Sequence, residues 1–125
     1  EAQMNSGGHV RLDAVVVEEV NFIRGQGGVS SFSFGQRFGE VKSLALMLSQ
    51  NVILVSPQKW KRAVGLIGQD KNKSAILAAD IYPNQADEFV EDNKRCKGGK
   101  KYYDGRGDAV MIGLAALKLD LLGGK

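Results

Sequence analysis

The stretch Ala14-Val15-Val16-Val17-Glu18-Glu19-Val20 decides how the chain is read. A short apolar run rich in β-branched valines, ending on two carboxylates, has the signature of a strand buried on both faces rather than of a helix. It predicts a first strand over residues 12–20. Open α/β sheets hold their ligands outside the carboxyl ends of such strands, so Glu18 is the natural reference point for a functional site. Alternation along a strand turns Glu19 to the opposite face.

Outward from this strand, residues 24–35 read as a flexible Gly/Ser loop with two phenylalanines. Gly25, Gly27 and Gly28 would let the backbone turn sharply or approach a ligand. Their spacing matches neither a Walker A loop nor the dinucleotide fingerprint. Phe38, Val41, Leu44, Ala45 and Leu48 then recur at helical spacing over 35–49. Asn51 leads into Val52-Ile53-Leu54-Val55, a second buried strand. Strand, helix and strand make a βαβ unit, so the two strands are expected to be parallel.

Ser56 and Pro57 are the N-cap and first residue of a helix that stops at Gly65. There Lys59, Lys61 and Arg62 surround Trp60. A basic helix with an aromatic can hold a phosphate backbone; equally, Trp60 can be a core anchor beneath solvated lysines. A further helix is expected over 69–82, apolar along Ile76, Leu77, Ala79 and Ile81 and ended by Pro83. Residues 84–103 are polar, with Lys94, Arg95, Lys97, Lys100 and Lys101 around Gly98-Gly99. Such blocks are solvated and mobile, or hold nucleic acid. The last helix, 105–122, is apolar nearly all round and must be buried. Asp104 and Asp108 stand four apart at its start, on one face. A structural role suits both, with Asp104 as N-cap and Asp108 complementing the helix dipole. Residues 1–10 have no clear period, and His9, the single histidine, reads as an exposed loop residue.

Length and composition set the limits. The chain has 125 residues, enough for one domain with a real core. Seventeen basic and fourteen acidic side chains leave a net +3, which permits a polyanionic partner without requiring one. One cysteine, Cys96, excludes an internal disulfide framework and fits a reducing compartment. The longest apolar stretch, 109–122, is broken by Lys118 and Asp120 and is too short to span a bilayer. A cytoplasmic location is therefore expected, with no membrane partner.

Glu18, Asp104 and Asp108 are the acids whose positions suit chemistry. Carboxylates meeting at a sheet edge are what a hard divalent cation such as Mg²⁺ needs. Two such ions can activate water and stabilise the leaving oxygen of a phosphodiester.

At this point the sequence resembles the RuvC-type Holliday junction resolvases of the RNase H-like superfamily, in their bacteriophage form. The blocks that carry the resemblance are Val15-Val16-Val17-Glu18-Glu19-Val20, residues 25–35 with Phe38-Gly39, Val55-Ser56-Pro57-Gln58-Lys59-Trp60-Lys61, and Asp104-Gly105-Arg106-Gly107-Asp108-Ala109-Val110 through Gly113. They fall in the family's order and span about 14–117. The resemblance implies a partial RNase H-like α/β fold, retaining two parallel strands and flanking helices, as one domain over 1–125 with a lead-in at 1–12. It implies a crossover junction endodeoxyribonuclease, cutting branched double-stranded DNA by paired nicks with two Mg²⁺ or Mn²⁺ ions. Glu18, Asp104 and Asp108 match the family's ligands, although Asp104 and Asp108 are four apart where bacterial members have three.

The resemblance also brings Lys59, Lys61 and Arg62, Lys97, Lys100 and Lys101, and Arg24 and Arg106 near DNA, with Phe22 as a wedge at the junction. It implies a homodimer, in the cytoplasm of a bacterial host if phage-derived. The family's opening strand, with Asp in a Gly-x-Asp-x-Gly setting, has no match here. Asp13 alone precedes Glu18, and its context differs. The expectation is therefore an N-terminally shortened chain that lacks one ligand and is inactive by itself. Two other readings are an inactive RNase H-like module that binds branched DNA, and an RNase H-like nuclease acting on RNA–DNA hybrids.

Overall fold

A computed structural model describes residues 2–4, 10–19 and 27–122. The architecture is mixed α/β, with a small parallel pair of strands and flanking helices. The chain divides into two compact units, Glu1–Pro57 with Asp120–Lys125, and Gln58–Leu119.

In the first unit, β1 (Ala2–Met4) and β2 (Val10–Leu12) pair antiparallel. β3 (Val15–Glu18) follows after a bend at Asp13. The single strand expected over 12–20 is thus two short ones with different partners. After β3 come α1 (Gly28–Leu48) and β4 (Val52–Val55). β3 and β4 are parallel, with Val15 opposite Val52 and Glu18 opposite Val55, as the βαβ reading requires. Backbone bonds from Val15 N–H to Asn51 O and from Glu19 N–H to Val55 O extend the ladder at both ends.

Helix α1 begins at Gly28, so residues 28–35, read as loop, are helical. A glycine costs a helix about 1 kcal/mol, which a long helix absorbs. The apolar spacing Phe38, Val41, Ala45 continues back to Phe34, a signal hidden behind the glycines. α1 packs on β2, β3 and β4, with Ala45 buried, while Val29 and Met47 are more than four-fifths exposed. At its end Ser49, buried, accepts a hydrogen bond from Asn51 N–H at 3.0 Å. The Asn51 side-chain amide donates to Leu122 O at 3.2 Å, tying the returning chain into this unit.

The second unit opens with α2 (Pro57–Ala63). Gly65, at φ 76, closes it. Leu66 N–H donates to Lys61 O and Gly65 N–H to Arg62 O, the paired bonds of a Schellman cap. Trp60 is fully buried and Leu66 nearly so, which makes Trp60 a core anchor.

Helix α3 (Lys73–Ile81) is shorter than the expected 69–82, because Gly68 at φ 77 and turns through Lys71 precede it. Its inner face is Ser74, Ala75 and Ala78, whereas Ile76 and Ile81 are exposed. α4 (Asp104–Lys118) lies against α3. It buries Gly107, Met111, Ile112, Ala115 and Ala116 but leaves Leu117 exposed, so it is not buried all round.

Between α3 and α4, the polar segment forms regular structure. A 3₁₀ turn (Pro83–Glu88) leads to the antiparallel hairpin β5 (Val90–Asp92) and β6 (Lys100–Tyr102). The polar sequence hides a small core, in which Phe89 sits with Ala75 and Ala78 beside Val90, Tyr102 and Val110.

Asp92 and Lys100 face each other in the hairpin at 2.8 Å. Hydrogen bonding and the charge of Lys100 hold the Asp92 carboxyl below its ordinary value, and Asp92 raises Lys100 in return. The carboxylate's contribution is present above the ordinary carboxyl value, about pH 4, and is lost as pH falls through the depressed folded one. On the alkaline side it is present below the ordinary lysine value and lost as pH rises through the raised one. Both groups are exposed, so the effect is small. Amide protection factors over 90–102 should fall on acidification below about pH 4 in the native chain and change less in Asp92→Asn. Identical profiles would remove the pair from the account.

Candidate functional site

Glu18 closes β3 at the carboxyl end of the parallel pair, half-buried. Val55, its partner in register, is almost fully buried and leads directly through Ser56 into α2. The acid thus stands at the strand edge opposite a buried valine, as the sequence predicts, although β3 is only half-buried and Leu54 of β4 is exposed, so neither strand is buried on both faces.

Asp104 and Asp108 occupy the first turns of α4, and both are half-buried. Asp104 is the first helical residue, not the N-cap. That position belongs to Tyr103, which makes no side-chain capping bond. The Asp104 carbonyl instead accepts from the Ser74 hydroxyl at 3.4 Å, fixing the start of α4 to the start of α3.

Asp108 lines a pocket of about 70 Å³ with Trp60, Lys61, Leu66, Gln69, Asp70, Lys71 and Ser74. Of these, Trp60 and Leu66 are buried. Its lining also includes two lysines, Lys61 and Lys71, and two aspartates, Asp70 and Asp108. That volume suits a few waters or one small oxyanion. Gln69, Asp70, Lys71 and Ser74 went unnoticed in the sequence. The signal that could have found them is the pair Gly65 and Gly68, whose positive φ values turn the chain back beside α2.

The remaining basic side chains divide by what they touch. Lys59 and Arg62 are exposed on α2, while Lys61 is half-buried, its Nζ 5.7 Å from the Trp60 ring centre. Lys97, Lys100 and Lys101 are exposed on the hairpin. Lys100 is paired with Asp92, and Lys101 Nζ lies 5.0 Å from the Tyr103 ring centre. The Arg106 guanidinium lies 4.3 Å from that ring centre, and its Nη1 donates to Glu88 O at 3.0 Å. Phe22 and Arg24 lie outside the described residues.

Asp104, Asp108 and Lys61 thus belong to one unit, and Glu18 to the other. Among the described residues no group of three or more His, Cys, Asp or Glu side chains is gathered to hold a metal ion. Among them, too, no helix is long and apolar enough to cross a membrane. Compared with family models, curated proteins and solved structures, the chain matches none.

Proposed function

We propose that this chain is the nuclease domain of a metal-dependent endonuclease that resolves four-way DNA junctions by paired nicking, with an RNase H-like fold and acting as a homodimer. The observation that supports it most is the pocket in which Asp108 stands among Lys61 and Lys71. A small pocket lined by two carboxylates, Asp70 and Asp108, and two lysines, Lys61 and Lys71, suits a divalent cation together with a phosphodiester whose negative charge grows during cleavage. The four sequence blocks supply the junction as substrate, since the fold class alone does not.

Glu18, Asp104 and Asp108 are the residues that would hold the ions. Their donor set is oxygen alone, which fits Mg²⁺ or Mn²⁺ and not a soft metal. The Asp104 and Asp108 carboxylates make no ion pair among the described residues, so they are open to a ligand. When bound, such ions lower the pKa of water and offset charge on phosphodiester oxygens. Lys61 and Lys71, which line the pocket, would orient the phosphate by charge.

The test is Mg²⁺-dependent nicking of a synthetic four-way junction by the protein expressed from its complete reading frame. Symmetrical nicks that vanish with EDTA and in Glu18→Gln are expected. Tight junction binding with no cutting under Mg²⁺ or Mn²⁺ would instead make it a binding module. Preferential cutting of an RNA–DNA hybrid would make it a ribonuclease H-type enzyme.

A further inference from the structure

The β5–β6 hairpin carries a feature that the pocket does not use. Its turn, Asn93-Lys94-Arg95-Cys96-Lys97-Gly98-Gly99, contains Lys94, Arg95 and Lys97 and no carboxylate. All three basic residues are exposed, and their side chains form no ion pair among the described residues. The hairpin's other charges are already engaged. Asp92 holds Lys100, Glu91 accepts the Tyr103 hydroxyl at 2.9 Å, and Lys101 lies over the Tyr103 ring.

The turn is nonetheless well bonded. Asn93 N–H donates to Gly99 O, Cys96 N–H to Asn93 O, Gly99 N–H to Cys96 O, and Arg95 N–H to the Asn93 side-chain oxygen. Gly98 and Gly99, at φ 77 and 76, close it in a conformation that L side chains resist. The root of the hairpin is fixed to α4, because Tyr103 N–H donates to Phe89 O and Arg106 binds Glu88. A narrow two-stranded ribbon with a cationic tip is thus held beside the helix that begins with Asp104.

We propose that this tip is a clamp for the sugar-phosphate backbone of double-stranded DNA, gripping a duplex arm through Lys94, Arg95 and Lys97 by charge and not by base sequence. The proposal rests on the junction-nuclease reading for its partner. A two-stranded ribbon is of a size that enters or straddles a DNA groove. With no aromatic or amide side chain beyond Asn93 at the tip, and that one bonded to Arg95 N–H, phosphate is the group it is equipped to meet.

Binding of a fluorescent four-way junction, and of unrelated duplexes, would be measured across a KCl series in EDTA, so that no cutting is needed. Replacing Lys94, Arg95 and Lys97 together with alanine should reduce the slope of log K against log salt by about 2–3. Affinity in 0.1 M salt should fall about tenfold per side chain, equally for all sequences. The double variant Lys94→Arg, Lys97→Arg, which keeps both charges, should keep the native slope. An unaltered slope in a native chain that binds and cuts junctions overturns the clamp and leaves the nuclease reading standing. A loss confined to one base sequence, or to RNA–DNA hybrids, overturns it too. A native chain that binds no DNA overturns both.

Discussion

Gly107→Ala should lower thermal stability by about 3 kcal/mol, at the upper end of what overpacking costs. A Cβ at this position would meet the Ala75 backbone nitrogen and lie 2.6 Å from both Ala75 Cα and the Ser74 carbonyl carbon. These are backbone atoms, so no rotamer change relieves the clash and α3 and α4 must move apart. Separation would strain the bond from the Ser74 hydroxyl to Asp104 O and disturb the packing of Ala75 and Ala78 with Phe89. Helix propensity argues the other way, since alanine exceeds glycine by about 1 kcal/mol in a helix interior. The sign of the change therefore decides whether contact or propensity rules. Gly113, on the same helix with nothing within 4 Å of an added Cβ, is the control. Gly113→Ala should be neutral or stabilising by about 0.5–1 kcal/mol. In a thermal melt Gly107→Ala should fall by roughly 10 °C or more; a rise would mean that the helices do not approach as closely as described.

In the protein expressed from its complete reading frame, Asp108→Asn should reduce single-turnover nicking of a saturating junction by about a thousandfold or more, while leaving the fold intact. Charge stabilisation by metal ions in phosphodiester cleavage is worth several kcal/mol, and each 1.36 kcal/mol is about a factor of ten in rate. The substitution keeps the side chain's shape and removes its charge. Asp108 is half-buried and forms no ion pair among the described residues, so little of its effect should be structural. A melt matching the native chain, with the nicking rate lost, is the expected pattern. A native rate would remove Asp108 from the machinery.

What could be seen in the sequence was what runs of β-branched residues and paired turn signals dictate. Val15–Val17 and Val52–Val55 announced the parallel pair, and Ser56-Pro57 with Gly65 bounded α2. The strand edge at Glu18 followed from those alone. The start of α1 was not legible, because Gly25, Gly27 and Gly28 signal a loop more strongly than Phe34 signals a helix. The hairpin was hidden for a related reason. Its strands have three residues each and their charges are cross-strand pairs, so the period-two pattern never emerges from a basic background. The inner face of α3 defeats hydrophobicity as a guide, since Ala75 and Ala78 are buried there and Ile76 and Ile81 are not. Close helix approach selects small residues, and Gly107 is its counterpart on α4. Asp108's neighbours in the pocket were invisible for want of any local motif: Lys61, Gln69 and Lys71 are brought to it by backbone turns at Gly65 and Gly68.

The proposed nuclease chemistry requires Glu18, Asp104 and Asp108 to bind Mg²⁺ or Mn²⁺. The most direct test is a Mn²⁺ titration of the ¹⁵N-labelled protein, following paramagnetic broadening of the amides of Glu18 and Asp108. The nuclease proposal predicts that both neighbourhoods broaden, and that Glu18→Gln and Asp108→Asn each weaken the effect at the substituted residue. Broadening at α4 with Glu18 untouched, or at neither, would contradict it.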